Sequence, residues 1–310
     1  MTAMNPSRKD FRQHTGTDPR LLGEVEDLLR LAIREDNDIR GDITSAALIP
    51  ESVPGAAVVA AREEGVVAGN AVAPAILKAV DPALEWKPAL ADGTPVMPGG
   101  KIGTIAGPVR TMLTAERLLL NMLGRLSGIA TLTRAYVGEV AGTGARVYDT
   151  RKTTLGWRYL EKYAVHCGGG CNHRTGLFDA ILIKDNHLAF SQTEGLSPAE
   201  AVQRSKAYVA GHFRAGENLP LIEVEVDSLE QLKNVLTAEP DIVLLDNMTP
   251  ELLAEAVRIR DAAGSRAELE ASGGISLKTI RAAAESGVDR ISVGALTHSA
   301  RSLDIGLDWL

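Results

Sequence analysis

The chain has 310 residues, 45% of them apolar and 24% charged, with a net charge of −7 at pH 7. That length holds one large domain or two smaller ones with an ample core, and the acidic balance argues against a general nucleic-acid binder. Two cysteines, Cys167 and Cys171, exclude a disulfide framework, and no apolar run approaches the roughly 18–20 residues of a membrane span.

The opening MTAMNPSRKDFRQHTGTDPR is polar and has no signal-like apolar stretch; residues 1–20 are expected to be a loose tail. Reduced, structural thiols and a cytoplasmic location are expected. Leu22, Val25, Leu28, Leu29, Ala32 and Ile33 recur at helical spacing, which predicts an amphipathic helix over Leu21–Glu35. GDITSAALIP reads as a turn and a short extended piece, and AAVVAAREEGVVAG as two strands around a turn at Glu64-Gly65. Ala71–Val80 reads as a short helix ended by Asp81-Pro82, and ADGTPVMPGGKIGTIAG as part of a small sheet with tight turns. A helix over Thr114–Leu126 is expected to be capped by Thr114, broken at Ser127-Gly128, and resumed over Ile129–Val140.

Beyond Gly144 the rhythm changes. Six strand-like runs, ARVYDTRKT, AILIKDNH, IEVEVDS, DIVLLDN, AELEASGG and RISVGALTH, alternate with helical stretches at Ala199–Ala210, Leu229–Ala238, Pro250–Ala262 and Leu277–Ser286. Strand, helix, strand at this pitch means right-handed parallel βαβ units. Six strands are too few for the eight of a closed barrel. The expected fold class is therefore α/β, with an open, incomplete, about six-stranded parallel α/β barrel whose gap is covered by the small domain or a neighbouring subunit. The tail SARSLDIGLDWL is apolar enough to dock on the first domain.

In such barrels the strand C-termini share one rim, where chemistry is done. Side chains alternate along a strand, so Glu223, Glu225 and Asp227 share a face that must point inward if Val224 and Val226 pack on the outer helices. Lys152 and Lys184 are their natural partners. Glu225 and Asp246 end successive strands and suit Mg2+, which takes one or two carboxylates with phosphates and water; Asp246 could instead cap a helix. Ser272-Gly273-Gly274 and Gly294 follow the last two strands, the usual phosphate position, although tight turns use glycine anyway. Arg151, His173, Arg174 and Lys184 could clamp a dicarboxylate or decorate a solvated loop. Arg117 is expected in the first turn of its helix, where a cation opposes the dipole; it reads as an anion ligand or a surface residue.

In this order, DTRKT, GGGCNHR, ILIKDNH, EVEVDSLEQL, IVLLDN, LEASGGI and SVGALTHS closely resemble the quinolinate phosphoribosyltransferases, also called nicotinate-nucleotide pyrophosphorylases (carboxylating). The resemblance runs from about Leu21 to the end and includes EDNDIRGDIT and TAERLLLNMLGRLSGIAT. It implies an N-terminal α/β sandwich over 21–127 with 299–310, an open barrel over 128–298, and a homodimer with shared active sites. It also implies a glycosyltransferase of NAD biosynthesis that joins quinolinate to 5-phosphoribosyl 1-diphosphate, releasing diphosphate and CO2. By that resemblance, Arg151, His173, Arg174 and Lys184 hold quinolinate, and Arg117 arrives from the partner subunit. Lys152, Glu225 and Asp246 serve the sugar diphosphate and its Mg2+, and Ser272, Gly273, Gly274 and Gly294 hold the 5-phosphate. Lys152, Lys184, Glu225 and Asp246 are the expected catalytic set. Rival readings are a nicotinate-type phosphoribosyltransferase, a barrel lyase using Lys184 or Lys152 as a Schiff base, and a non-catalytic anion binder; no nucleic acid or membrane is implied.

Overall fold

In the computed structural model the elements follow in chain order: α1 (Pro19–Asn37), α2 (Ile43–Leu48), β1 (Pro54–Ala61), β2 (Gly65–Val66), α3 (Ala73–Val80), β3 (Glu85–Pro88), β4 (Pro95–Val96), β5 (Lys101–Pro108), α4 (Val109–Glu139), β6 (Arg146–Tyr148), α5 (Arg158–Cys167) and β7 (Ala180–Ile183). They continue as α6 (Asp185–Thr193), α7 (Pro198–His212), β8 (Leu221–Val226), α8 (Leu229–Leu236), β9 (Ile242–Asp246), α9 (Pro250–Ala262), β10 (Glu268–Ser272), α10 (Ile280–Glu285), β11 (Arg290–Ser292), α11 (Ala295–His298) and β12 (Ile305–Trp309). The structure describes residues 10–193, 195–214 and 217–310. None of the described helices is long and apolar enough to cross a membrane.

The chain forms two compact units. The mixed unit comprises Gln13–Ala135, Lys152–Gly170 and Ala295–Leu310; the barrel unit comprises, among the described residues, 10–12, Tyr136–Arg151 and those within Cys171–Gly294. In chain order the two units meet within α4, between Ala135 and Tyr136. Lys152–Gly170 joins the mixed unit because α5 is held there: the Glu24 carboxylate of α1 accepts the backbone N–H groups of Tyr159 and Leu160 at 3.2 and 3.0 Å.

In the mixed unit an antiparallel sheet runs β12-β1-β5-β3. β2 does not fold back on β1 but pairs with β4, because both edges of β1 are taken, by β5 and β12. α1 starts at its N-cap Asp18 and buries Leu21, Val25 and Leu29, one stripe at a spacing of four. Two local expectations are corrected. GDITSAALIP is helical over α2 because Asp42 caps it, accepting the Ser45 N–H at 2.9 Å. α4 runs unbroken for 31 residues. Thr114 is therefore no cap; its hydroxyl donates to the Arg110 carbonyl one turn back at 3.1 Å. Gly128 does not break the helix but lets it pass close to another segment, since a Cβ there would lie 1.9 Å from the Arg301 carbonyl oxygen.

The barrel unit is a six-stranded parallel sheet in the order β6-β11-β10-β9-β8-β7. Registers such as Ser272↔Asp246 and Ser292↔Tyr148 bring the C-termini onto one rim. β6 and β7 are the two edges. The gap is spanned from within the unit: Cys171 N–H donates to the Val147 carbonyl at 2.8 Å, and Arg174 Nη1 donates to the Ala180 carbonyl at 3.4 Å. The expected loose tail is also corrected. Its residues 1–9 lie outside the described residues, whereas Phe11 and His14 are buried and α1 already begins at Pro19.

Candidate active site

Each rim residue is delivered by the end of a parallel strand. Lys184 follows β7, and its ammonium lies 2.9 Å from Glu225 Oε2 near the end of β8. Asp246 ends β9, and its Oδ2 accepts from Asn247 Nδ2 at 2.8 Å. It is not a helix cap: Thr249 caps α9. Glu225 Oε1 and Asp246 Oδ1 have no protein hydrogen-bond partner among the described residues. Both carboxylates, with Asp185 and Asp227, line a cleft of about 240 Å³. An all-oxygen set with free lone pairs on adjacent strands fits a hard divalent cation such as Mg2+.

The β10 turn is shaped for close approach. Gly273 and Gly274 have φ of +93° and +61°, and a Cβ on Gly273 would lie 2.2 Å from Asn247 Oδ1. Asn247 is itself left-handed, at φ 54°, and its N–H donates to the Ser272 carbonyl at 2.9 Å. The turns after β9 and β10 are thus interlocked, and successive left-handed residues turn backbone N–H groups toward one side, the usual anion cradle. The helix expected to open at Leu277 starts only at Ile280 and has six residues, so the cradle rests on the turn and not on a helix dipole. Gly294 follows β11 on the same rim and is half-buried.

A second cluster lies where β6 approaches the Cys171–Arg174 segment. The Asp149 carboxylate accepts from Asn172 Nδ2 at 2.7 Å and from the His173 N–H at 2.8 Å, which fixes that segment. Arg174 is buried, and burial together with the neighbouring charge of Arg151 lowers its pKa. Arg151 Nε is buried with no hydrogen-bond partner among the described residues. Two guanidiniums within electrostatic range of each other, one with an unsatisfied buried donor, are the electrostatic outline of an anion site.

His173 was foreseen as a ligand, but its surroundings were not. Its Nε2 lies 3.1 Å from Glu223 of β8 and 3.5 Å from Glu270 of β10, and all three are buried. Burial alone would lower its pKa, but the two carboxylates outweigh that and push it up to about 10. The same ring holds Glu270 below the usual carboxylate range against its own burial. These groups are close enough to bind a metal, with ligating atoms within 4.8 Å of one another. A metal there would require Nε2 to give up its proton, and the other ring nitrogen, Nδ1, accepts the Arg174 N–H at 2.8 Å. Glu223 is thus partnered by His173 rather than by either lysine. Glu223 and Glu225, two apart on one strand face, join the two clusters.

Lys152 and Arg117 belong to the mixed unit. Lys152 is exposed, and its carbonyl accepts from Thr297 Oγ1 at 2.7 Å. The loop after it is pinned by buried Glu161, which accepts from Thr154 Oγ1 at 2.9 Å and Arg125 Nη2 at 2.7 Å. Glu161 carries no motif signal in the sequence. Arg117 is exposed on the third turn of α4, since the helix begins at Val109; the first-turn dipole argument for it therefore fails.

A larger cavity, about 590 Å³, opens at the opposite rim, among the first residues of β8, β9 and β10. Its walls include one cation, Arg266, and no glycine cradle after a strand. The charge and backbone geometry suited to an anionic substrate are on the C-terminal rim.

Two family models account for most of the chain: the quinolinate phosphoribosyl transferase N-terminal domain over 42–127 and its C-terminal domain over 129–308. The chain belongs to the quinolinate phosphoribosyltransferase family. A nicotinate-nucleotide pyrophosphorylase (carboxylating) of Mycobacterium leprae is 44% identical over 286 residues, 92% of this chain and 96% of the relative. A probable enzyme of the same name from Bacillus subtilis is 40% identical, covering 86% and 88%. Among solved structures, the nicotinate-nucleotide pyrophosphorylase of Francisella tularensis superposes with a TM-score of 0.85 at 36% identity, covering 97% of this chain and all of that one. The family's enzymes are phosphoribosyltransferases of NAD biosynthesis.

Proposed function

We propose that this chain transfers the phosphoribosyl group of 5-phosphoribosyl 1-diphosphate to quinolinate, with decarboxylation, giving nicotinate mononucleotide, diphosphate and CO2. The observation that carries the reading is the electrostatically coupled Arg151–Arg174 pair, with a buried Arg151 Nε that has no partner among the described residues, in the same barrel unit whose strand C-termini present Lys184, Glu225 and Asp246. A single carboxylate would not need two forked cations with a histidine and a lysine; a pyridine dicarboxylate would.

In this reading Arg151, His173, Arg174 and Lys184 hold the two carboxylates of quinolinate. Ser272, Gly273, Gly274 and Gly294 cradle the 5-phosphate through backbone N–H groups. Lys152 and Lys184 lend positive charge toward the departing diphosphate, and Glu225 and Asp246 hold Mg2+ and face the ribose. Bound Mg2+ would absorb charge on the leaving group. The protein's own work is positional: the clamp aims the pyridine nitrogen at ribose C1, and Glu225 and Asp246 stabilise the positive charge that grows on the sugar. Once the nitrogen is alkylated it is cationic, and it stabilises the carbanion left when the adjacent carboxylate departs as CO2. A Schiff-base role for Lys184 finds no support. Such a lysine works as a neutral amine in an apolar setting, whereas Lys184 is about half exposed and ion-paired. The enzyme acts as a homodimer in which Arg117 of the partner subunit completes each site. Its free cysteines fit a reducing, cytoplasmic setting.

The test is turnover. Incubation with quinolinate, 5-phosphoribosyl 1-diphosphate and Mg2+ should release CO2 and nicotinate mononucleotide. Arg174→Ala should raise the KM for quinolinate at least tenfold while changing that for the sugar diphosphate less than threefold. Activity on nicotinate without any on quinolinate would refute the proposal.

A further inference from the structure

The first described residues of the chain occupy a position that the proposed chemistry does not use. Asp10 lies inside the barrel unit, where its Oδ2 is 2.7 Å from Arg146 Nη1 and its Oδ1 is 2.9 Å from Arg290 Nη2. The Tyr148 hydroxyl donates to the same carboxylate at 3.2 Å. Arg146 opens β6 and Arg290 opens β11; both also face Glu268, the first residue of β10. Phe11 belongs to one buried apolar cluster with Ala180, Leu221 and Ile242, the first residues of β7, β8 and β9. Two consecutive residues therefore engage the starting residues of five strands, by charge at β6 and β11 and by packing at β7, β8 and β9, and the same two arginines carry the contact on to Glu268 of β10.

The same pair reaches the clamp. The Phe11 ring stacks on the His173 imidazole, with centroids 4.4 Å apart and planes 29° from parallel. The Arg290 guanidinium lies 5.2 Å from the centroid of the other partner in that stack, Phe11, and 4.3 Å from that of Tyr148. His173 is thus bounded by carboxylates at its Nε2 and by an aromatic face alongside. An imidazole stacked on an aromatic face in this way loses rotational freedom. Removal of the carboxylate between them would also leave Arg146 and Arg290 facing each other near the barrel floor, which buried charges tolerate poorly.

We propose that Asp10 and Phe11 form a stopper in the N-terminal mouth of the barrel and act as positioning residues for His173, fixing the ring that grips quinolinate. The inference rests on the reading that His173 belongs to the quinolinate clamp. Asp10 anchors the stopper to the arginines, and Phe11 sets the plane of the imidazole. The affinity of the dicarboxylate site thus depends on a segment that enters from the opposite end of the barrel.

The experiment compares Phe11→Ala, Phe11→Leu, Phe11→Tyr and His173→Ala in the full chain. It measures quinolinate Kd by calorimetry, KM for both substrates, and Tm. Phe11→Ala should weaken quinolinate about tenfold and leave the KM for 5-phosphoribosyl 1-diphosphate within twofold. Phe11→Leu, which fills the mouth but offers no ring face, should keep Tm near that of the parent and still weaken quinolinate several-fold; Phe11→Tyr should restore binding. Where Phe11→Ala does not fold, Phe11→Leu decides. Parent-like quinolinate binding in Phe11→Leu overturns the proposal if His173→Ala loses binding, because the stopper is then purely structural. Parent-like binding in His173→Ala overturns the clamp role of His173 itself, and the proposal with it.

Discussion

Replacing Glu270 by glutamine tests the electrostatics of the barrel interior with almost no change of shape. A rise in the His173 pKa from 6.5 to about 10 means that the folded protein favours the charged ring relative to the unfolded chain. Glu223 and Glu270, at 3.1 and 3.5 Å, supply that preference against the opposing effect of burial. One carboxylate this close moves a neighbour's pKa by roughly 1–3, so in Glu270→Gln the His173 value should fall by at least one pH unit. The direct assay is NMR of histidine-labelled protein titrated from pH 6 to beyond 10. His173 should stay charged past pH 9 in the parent and begin to lose its proton clearly earlier in the variant. Stability follows with a definite sign. A histidine whose pKa is raised on folding contributes fully below its unfolded value, near 6.5, and its contribution is lost as pH rises through about 10. The parent's Tm should therefore fall across that alkaline window, and the variant's fall should begin at lower pH. Glu270 is depressed instead, so its share is present above the ordinary carboxylate value and is lost as pH falls through its lower folded one. A parent His173 that titrates near 6.5, or a value unmoved in Glu270→Gln, would refute the account.

Three further outcomes follow from particular contacts. Gly273→Ala forces a side chain onto a φ of +93° and against Asn247 Oδ1; it should raise the KM for 5-phosphoribosyl 1-diphosphate at least tenfold and leave quinolinate binding, read by calorimetry, near that of the parent. Gly128→Ala places a methyl group 1.9 Å from the Arg301 carbonyl oxygen; overpacking of that kind costs roughly 1–3 kcal/mol or more, visible as a Tm several degrees lower with KM values unchanged in the folded fraction. Asp246→Asn removes one charge from the oxygen pair on β8 and β9; Mg2+ should bind at least tenfold more weakly by calorimetry, while quinolinate affinity measured without metal changes less than twofold.

The parts of the molecule legible in the sequence are those written in local pattern. The βα rhythm after Gly144 foretold the open barrel and its six strands. The alternation in Glu223-Val224-Glu225-Val226 foretold carboxylates pointing inward, and Glu223 is indeed fully buried. The misreadings share one cause, a tertiary contact with no local signature. Ser127-Gly128 reads as a helix break until Arg301 is known to pass against it. Thr114 reads as a cap, and Arg117 as a first-turn residue, because the strand before α4 runs straight into the helix at Val109. Phe11 and Asp10 look like part of a polar tail because their partners lie more than 130 residues away. The pairing of Glu223 with His173 was hidden for the same reason: lysines at strand ends offered the obvious counter-charges, and the histidine arrives on the segment that spans the open side.

The β8 strand carries the link from fold to chemistry. Glu223, Glu225 and Asp227 point the same way, and they differ in depth. Glu223 is sealed, Glu225 is partly buried, and Asp227 is exposed. A sealed carboxylate must find a permanent counter-charge or lose its own, and His173 supplies it. At the intermediate level Lys184 takes one oxygen of Glu225 and leaves the other for a ligand. At the top, Asp227 meets water and lines the mouth of the cleft. One residue type on one strand face therefore changes role as the dielectric rises from floor to rim. This ordering explains why a charge change at Glu223 or Glu270 should be read first in the titration of His173 and the stability of the barrel. The same change at Glu225 or Asp246, where solvent and ligand compete for the carboxylate, should be read first in metal affinity.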